Sequence, residues 1–126
     1  MHKSILLIIV FIFSVLCAEA QSKKKPLYHS KDDVVTAAQE ELDKAMSAPD
    51  GVIYLWAKEK NINGKYFFEV SIRDKGKVAT VYCADREGGS LVNQSDLKDA
   101  IMDYEFNFKM PKGKSYKFKY TFDFNH

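Results

Sequence analysis

Nucleophilic or metal chemistry in this chain would have to come from two cysteines, three histidines and a scatter of carboxylates. Cys83 is the candidate nucleophile, and a cysteine hydrolase needs a base beside its thiol. His29 and His126 stand far from it in sequence, and no local pattern ties either to it. No pair among these residues has the spacing of a zinc site. Asp32, Asp33, Glu40 and Glu41 could pair for general acid–base work. They alternate with apolar residues at helical spacing, so the solvated face of a helix explains them more simply. Gly88-Gly89 lacks the following lysine and the strand–helix frame of a phosphate loop. The expectation is a protein that is not an enzyme and carries no metal or cofactor.

The pattern that organises the chain is aromatic. Tyr116, Phe118, Tyr120, Phe122 and Phe124 fall on alternate positions, with Ser115, Lys117, Lys119, Thr121 and Asp123 between them. Side chains alternate across a strand, so Lys114–Asn125 reads as a strand with one aromatic face and one wet face. At 3.6 residues per turn the same aromatics would scatter around a helix. A nucleic-acid platform would want aromatics on the open face within a strong basic field. Here the net charge is +2 and only Phe67 stands out on an open face, so no nucleic-acid partner is expected.

The remaining elements follow from periodicity and turn chemistry. Ser30 caps a helix in which Val34, Ala38, Leu42, Ala45 and Met46 recur at helical spacing, and Pro49-Asp50-Gly51 ends it. The apolar run Val52–Trp56 predicts a strand covered on both faces. Asn61-Ile62-Asn63-Gly64 predicts a turn, and Lys65–Arg73 a strand with Tyr66, Phe68, Val70 and Ile72 on one face. Asp74–Lys77 is a second turn, and Val78–Ala84 a third strand of an antiparallel meander. A loop over Asp85–Gln94 leads to a helix capped by Ser95, over Asp96–Glu105, with Leu97, Ala100, Ile101 and Tyr104 in one stripe. The expected class is α+β: an antiparallel sheet of about four strands with two helices, in the order α-β-β-β-α-β.

Residues 1–20 have the layout of a secretory signal peptide: Lys3, an uncharged apolar run Ile5–Leu16, and Ala18-Glu19-Ala20 as a cleavage site. The rival, an uncleaved anchor, would need about 20 apolar residues. Lipid attachment at Cys17 would want a small residue where Leu16 stands. Residues 21–29 read as a short basic tether carrying Lys23, Lys24 and Lys25, and residues 30–126 as a single α+β domain. The expected location is periplasmic or secreted, with no stable membrane insertion after cleavage. Cys83 then lacks an internal disulfide partner. A buried core thiol is the simplest reading, with a reactive thiol or an intermolecular bridge as the others.

From Ala57 onward the order of signals resembles the C-terminal domain of TonB-type energy transducers. Asn61-Ile62-Asn63-Gly64-Lys65-Tyr66-Phe67-Phe68-Glu69-Val70 is similar to that family's approach to its first strand, and Asp74-Lys75-Gly76-Lys77-Val78 to its hairpin. Asp96-Leu97-Lys98-Asp99-Ala100, then Phe108-Lys109-Met110-Pro111-Lys112-Gly113-Lys114 and the last strand, are similar to its close. The family's membrane anchor and proline-rich linker have no counterpart here. The resemblance implies that the last strand is a sheet edge that captures an extended segment of a cell-envelope protein by strand addition. The implied partner-binding residues are Lys114, Ser115, Lys117, Lys119, Thr121 and Asp123. A domain that encloses a small ligand, or acts as an inhibitor, within an aromatic-lined pocket is the other functional expectation.

Overall fold

The computed structural model describes residues 25–125. Helix α1 (Lys31–Ala45) starts at Ser30, whose hydroxyl accepts the Asp33 amide, with Asp32 and Asp33 in the positive first turn. Helix α2 (Val52–Lys60) follows, then strand β1 (Lys65–Arg73), a tight 3-10 turn at Asp74–Gly76, and strand β2 (Lys77–Glu87). Helix α3 (Leu91–Met102), an extended passage and strand β3 (Ser115–Asp123) complete the chain. The strands form one antiparallel sheet in the order β2-β1-β3. The α+β class is as expected, with three helices and three strands rather than two and about four.

The difference lies in Val52–Trp56, which is helical. A run of β-prone residues does not dictate a strand when burial recurs every fourth position. Only Ile53 and Ala57 of α2 are buried, while Val52 and Leu55 face solvent. The Asn61 turn is correspondingly a helix cap rather than a hairpin. Asn61 adopts the left-handed conformation (φ 56°, ψ 42°), and the Ile62 amide reaches back to the Ala57 carbonyl at 2.9 Å. Buried Ile62 supplies the apolar contact that accompanies such caps.

Helix α3 starts at Ser90, not Ser95. The Ser90 hydroxyl accepts the Asn93 amide, and Ser95 lies inside the helix. Leu91 and Val92 of its first turn are exposed, so the apolar stripe becomes visible only from Leu97. The helix ends at Met102, leaving Tyr104 in the extended passage that follows. Phe106, Phe108 and Met110 in that passage are all buried.

Strand β1 is the centre of the sheet and has the expected bounds and faces. Tyr66, Phe68, Val70 and Ile72 point into the core, opposite Phe122, Tyr120, Phe118 and Tyr116 of β3. On β2 the partners of the same four are Arg86, Cys83, Val81 and Val78. That spacing departs from strict alternation because register shifts leave Ala84 and Ala79 without a partner. Each such bulge restores the core side of β2 after a one-residue slip. All three helices contribute to the core on this face: Val34, Ala38 and Leu42 from α1, Ile53 and Ala57 from α2, Leu97 and Ile101 from α3.

Residues 1–24 and His126 lie outside the described residues, and with them the expected leader and the first four residues of the expected tether. The rest of that tether is docked. The Tyr28 amide bonds the Lys109 carbonyl (3.0 Å) and the Lys109 amide the Pro26 carbonyl (2.9 Å). Lys25 binds both the Glu105 carboxylate (2.8 Å) and the Lys75 carbonyl (2.9 Å). That hydrogen bond and charge hold the Glu105 carboxyl below its usual range.

Candidate functional site: the free edge of β3

Strand β3 is paired only on its β1 side. Which of its backbone groups face outward follows from one hydrogen bond. The Phe124 amide donates to the Gly64 carbonyl at 2.9 Å, which continues the unbroken register from Lys65–Asp123 to Arg73–Ser115. Antiparallel pairs alternate between hydrogen-bonded and non-bonded. The backbones of Tyr116, Phe118, Tyr120, Phe122 and Phe124 therefore turn toward β1. Those of Ser115, Lys117, Lys119, Thr121 and Asp123 turn outward, and among the described residues their amides and carbonyls find no partner.

Five of the six residues expected at the site thus share two properties: an exposed side chain on the open sheet face and an outward backbone. The sixth, Lys114, is exposed but precedes the strand, and its amide closes a turn onto the Pro111 carbonyl. Neither Lys117 nor Lys119 makes an ion pair among the described residues, although Lys119 stands opposite Glu69 of β1. Asp123 lies 3.9 Å from Lys65, which also reaches Glu87 at 3.8 Å, so a charge-alternating row crosses the sheet at that end. Tyr82, exposed on the same open face beside Glu69, is an addition to the expected site; it alternates with the inward Val81 and Cys83.

The aromatic residues on the other face are occupied with one another. Phe122 meets Phe68 at 5.4 Å and Tyr120 at 4.8 Å, and Phe106 meets Tyr104 at 4.8 Å and Phe108 at 5.4 Å between ring centroids. Surface grooves of about 250 to 320 Å3 each take one aromatic into their walls, Trp56, Tyr28 or Tyr54.

Two acidic residues of α1 tie the helix to other elements. Glu41 accepts the Tyr104 hydroxyl at 2.6 Å and the Asn107 amide at 2.9 Å, so it anchors the extended passage to α1. Asp43 accepts the Tyr120 hydroxyl, tying α1 to β3. Burial first, then the adjoining carboxylate, pushes both phenols well above their ordinary range. Among the described residues no cluster of His, Cys, Asp and Glu could hold a metal ion, and no helix is long and apolar enough to cross a membrane.

Cys83 is half-buried against the core rather than fully enclosed, and its thiol donates to the Asp85 carbonyl at 3.2 Å. Partial desolvation raises its pKa, against smaller lowering contributions from that bond and Arg86. His29 lies across the sheet, where its carbonyl accepts the Tyr116 hydroxyl on β3. Cys83 is therefore expected to stay a thiol at neutral pH and to react with a maleimide more slowly than free cysteine. Cys83→Ala is expected to cost about 1 kcal/mol, on the scale of a small core truncation. Labelling as fast as that of free cysteine would show a reactive thiol instead.

No family model, no curated protein and no solved structure matches this chain.

Proposed function

We propose that this chain is a binding module, similar to the TonB C-terminal domain, that recognises an extended segment of another protein by adding it as a strand to β3. One observation carries the reading: Ser115, Lys117, Lys119, Thr121 and Asp123 hold out a straight row of backbone donors and acceptors with no partner among the described residues. Strand addition uses such a row for affinity and the alternate side chains for selectivity. The sheet order β2-β1-β3 supports the same reading, because it leaves the last strand outermost. The partner belongs to the cell envelope, reached in the periplasm or outside the cell, in keeping with the leader-like residues 1–20. Lys117 and Lys119 favour an acidic segment and make its binding sensitive to salt.

Amide exchange tests this residue by residue. In dilute protein the amides of Phe118, Tyr120 and Phe122 are expected to be protected, and those of Lys117, Lys119 and Thr121 to exchange quickly. A partner captured from envelope extract is expected to protect the second set, and Lys117→Glu combined with Lys119→Glu to weaken its capture. A captured partner that leaves those three amides unprotected would overturn binding by strand addition.

A further inference from the structure

The free edge is also complementary to itself. Two β3 strands can meet antiparallel about a two-fold axis only if odd-numbered residues face odd-numbered ones, because only these turn their backbone outward. The side chains then choose among registers, since like charges directly opposite one another destabilise a pair and opposite charges stabilise it. An axis at Phe118 sets Lys117 against Lys119 of the other copy, and an axis at Lys119 sets two Lys119 residues against each other. An axis at Tyr120 sets Lys117 against Asp123 and Lys119 against Thr121. An axis at Thr121 sets Lys119 against Asp123, but leaves Lys117 opposite Asn125, beyond the strand, and shortens the ladder.

We propose that this chain forms a two-fold dimer by antiparallel β3–β3 pairing about Tyr120, which joins two three-stranded sheets into one continuous sheet. At this register the row Glu87, Lys65, Asp123 extends into Lys117 of the second copy, so charge alternates across four strands. Asp123 has acceptor capacity for that contact, because its separation from Lys65 is 3.9 Å and Lys65 is shared with Glu87. The other edge of the sheet is blunted. Strand β2 is bulged twice, and its first residue, Lys77, is bridged by Glu105. Strand β3 has no register shift and no such cover among the described residues. The two lysines thus select a register for self-pairing instead of forbidding it. The dimer does not rest on the binding reading above; the second copy and an extended partner would compete for the same edge.

Sedimentation equilibrium on protein produced from the full coding sequence, with whatever processing the cell performs, tests the proposal. The mass is expected to rise from one chain to two with concentration, and protection of the Lys117, Lys119 and Thr121 amides to rise with it. Lys117→Glu and Asp123→Lys are each expected to weaken self-association about tenfold, through two symmetry-related pairs turned repulsive. Combining them is expected to restore it. Asp123 also accepts the Asn125 amide, so Lys117→Glu with the amide readout carries the test if Asp123→Lys unsettles the fold. A single-chain mass up to millimolar concentration would overturn the dimer. So would dimerisation unchanged by Lys117→Glu. Rescue of Asp123→Lys by Lys119→Glu instead of Lys117→Glu would overturn the register.

Discussion

Phe122→Ala is expected to destabilise the domain by about 3–5 kcal/mol, the usual range for emptying a buried phenylalanine site. The ring is fully buried and stands opposite Tyr66 on the central strand. Its neighbours Phe68 and Tyr120 are both held elsewhere, Phe68 on the central strand and Tyr120 by its hydroxyl on Asp43. A cavity left here can therefore collapse little, which places the cost toward the upper end of the range. Domains of this kind are stable by about 5–15 kcal/mol in total, so a large part of the folding free energy is at stake. Urea unfolding of the two proteins measures it. Lys117→Ala, five residues away on the exposed face of the same strand, is expected to change stability by less than about 0.5 kcal/mol. Equal small losses for both would mean that β3 does not seal the core. The contrast matters for binding, because the strand that closes the core also presents the free edge, and the two tasks fall on alternate residues.

How far the sequence could be read depended on whether one physical signal acted alone. In β1 and β3 alternation is undisturbed, so both strands and their faces were legible from period two. In β2 the bulges at Ala79 and Ala84 break that period. Its core side therefore falls at Val78, Val81, Cys83 and Arg86. In α2 intrinsic preference and tertiary context disagree: Val52 to Trp56 favour a strand by type, while the left-handed cap at Asn61 and burial of Ile53, Ala57 and Ile62 favour a helix. In α3 the first turn carries no buried residue, so periodicity placed its start at Ser95, one turn past the true cap at Ser90. The role of Glu41 was beyond reach, since its partners Tyr104 and Asn107 are distant in sequence and only the tertiary fold unites them. Sheet order is likewise a tertiary property. That β3 is outermost was implied by a family resemblance, not by any residue of β3 itself.

Gly76→Ala is expected to be as damaging as the loss of a core ring, for the opposite reason: it adds an atom where none fits. Gly76 is buried at the end of the β1–β2 turn with φ at 77°, and its carbonyl accepts the Phe106 amide at 2.8 Å. A Cβ placed there would meet the Phe106 carbonyl oxygen at 2.6 Å, and would come closer still to that of Phe108. Both obstacles are backbone atoms, so no side-chain rotation relieves them. The extended passage from Glu105 to Phe108 would have to move away from the turn, withdrawing Phe106 and Phe108 from the core and disturbing the Lys77–Glu105 bridge that shields β2. Left-handed strain of about 1–3 kcal/mol adds to an overpacking cost of about 1–3 kcal/mol. The expected loss is thus roughly 2–6 kcal/mol. Gly113→Ala separates the two contributions, because Gly113 has a similar φ of 82° with nothing within 4 Å of the added carbon. It is expected to show the strain alone. Equal losses at the two glycines in thermal or urea unfolding would mean that the passage does not press on the turn, and that β2 lacks the cover which directs pairing to β3.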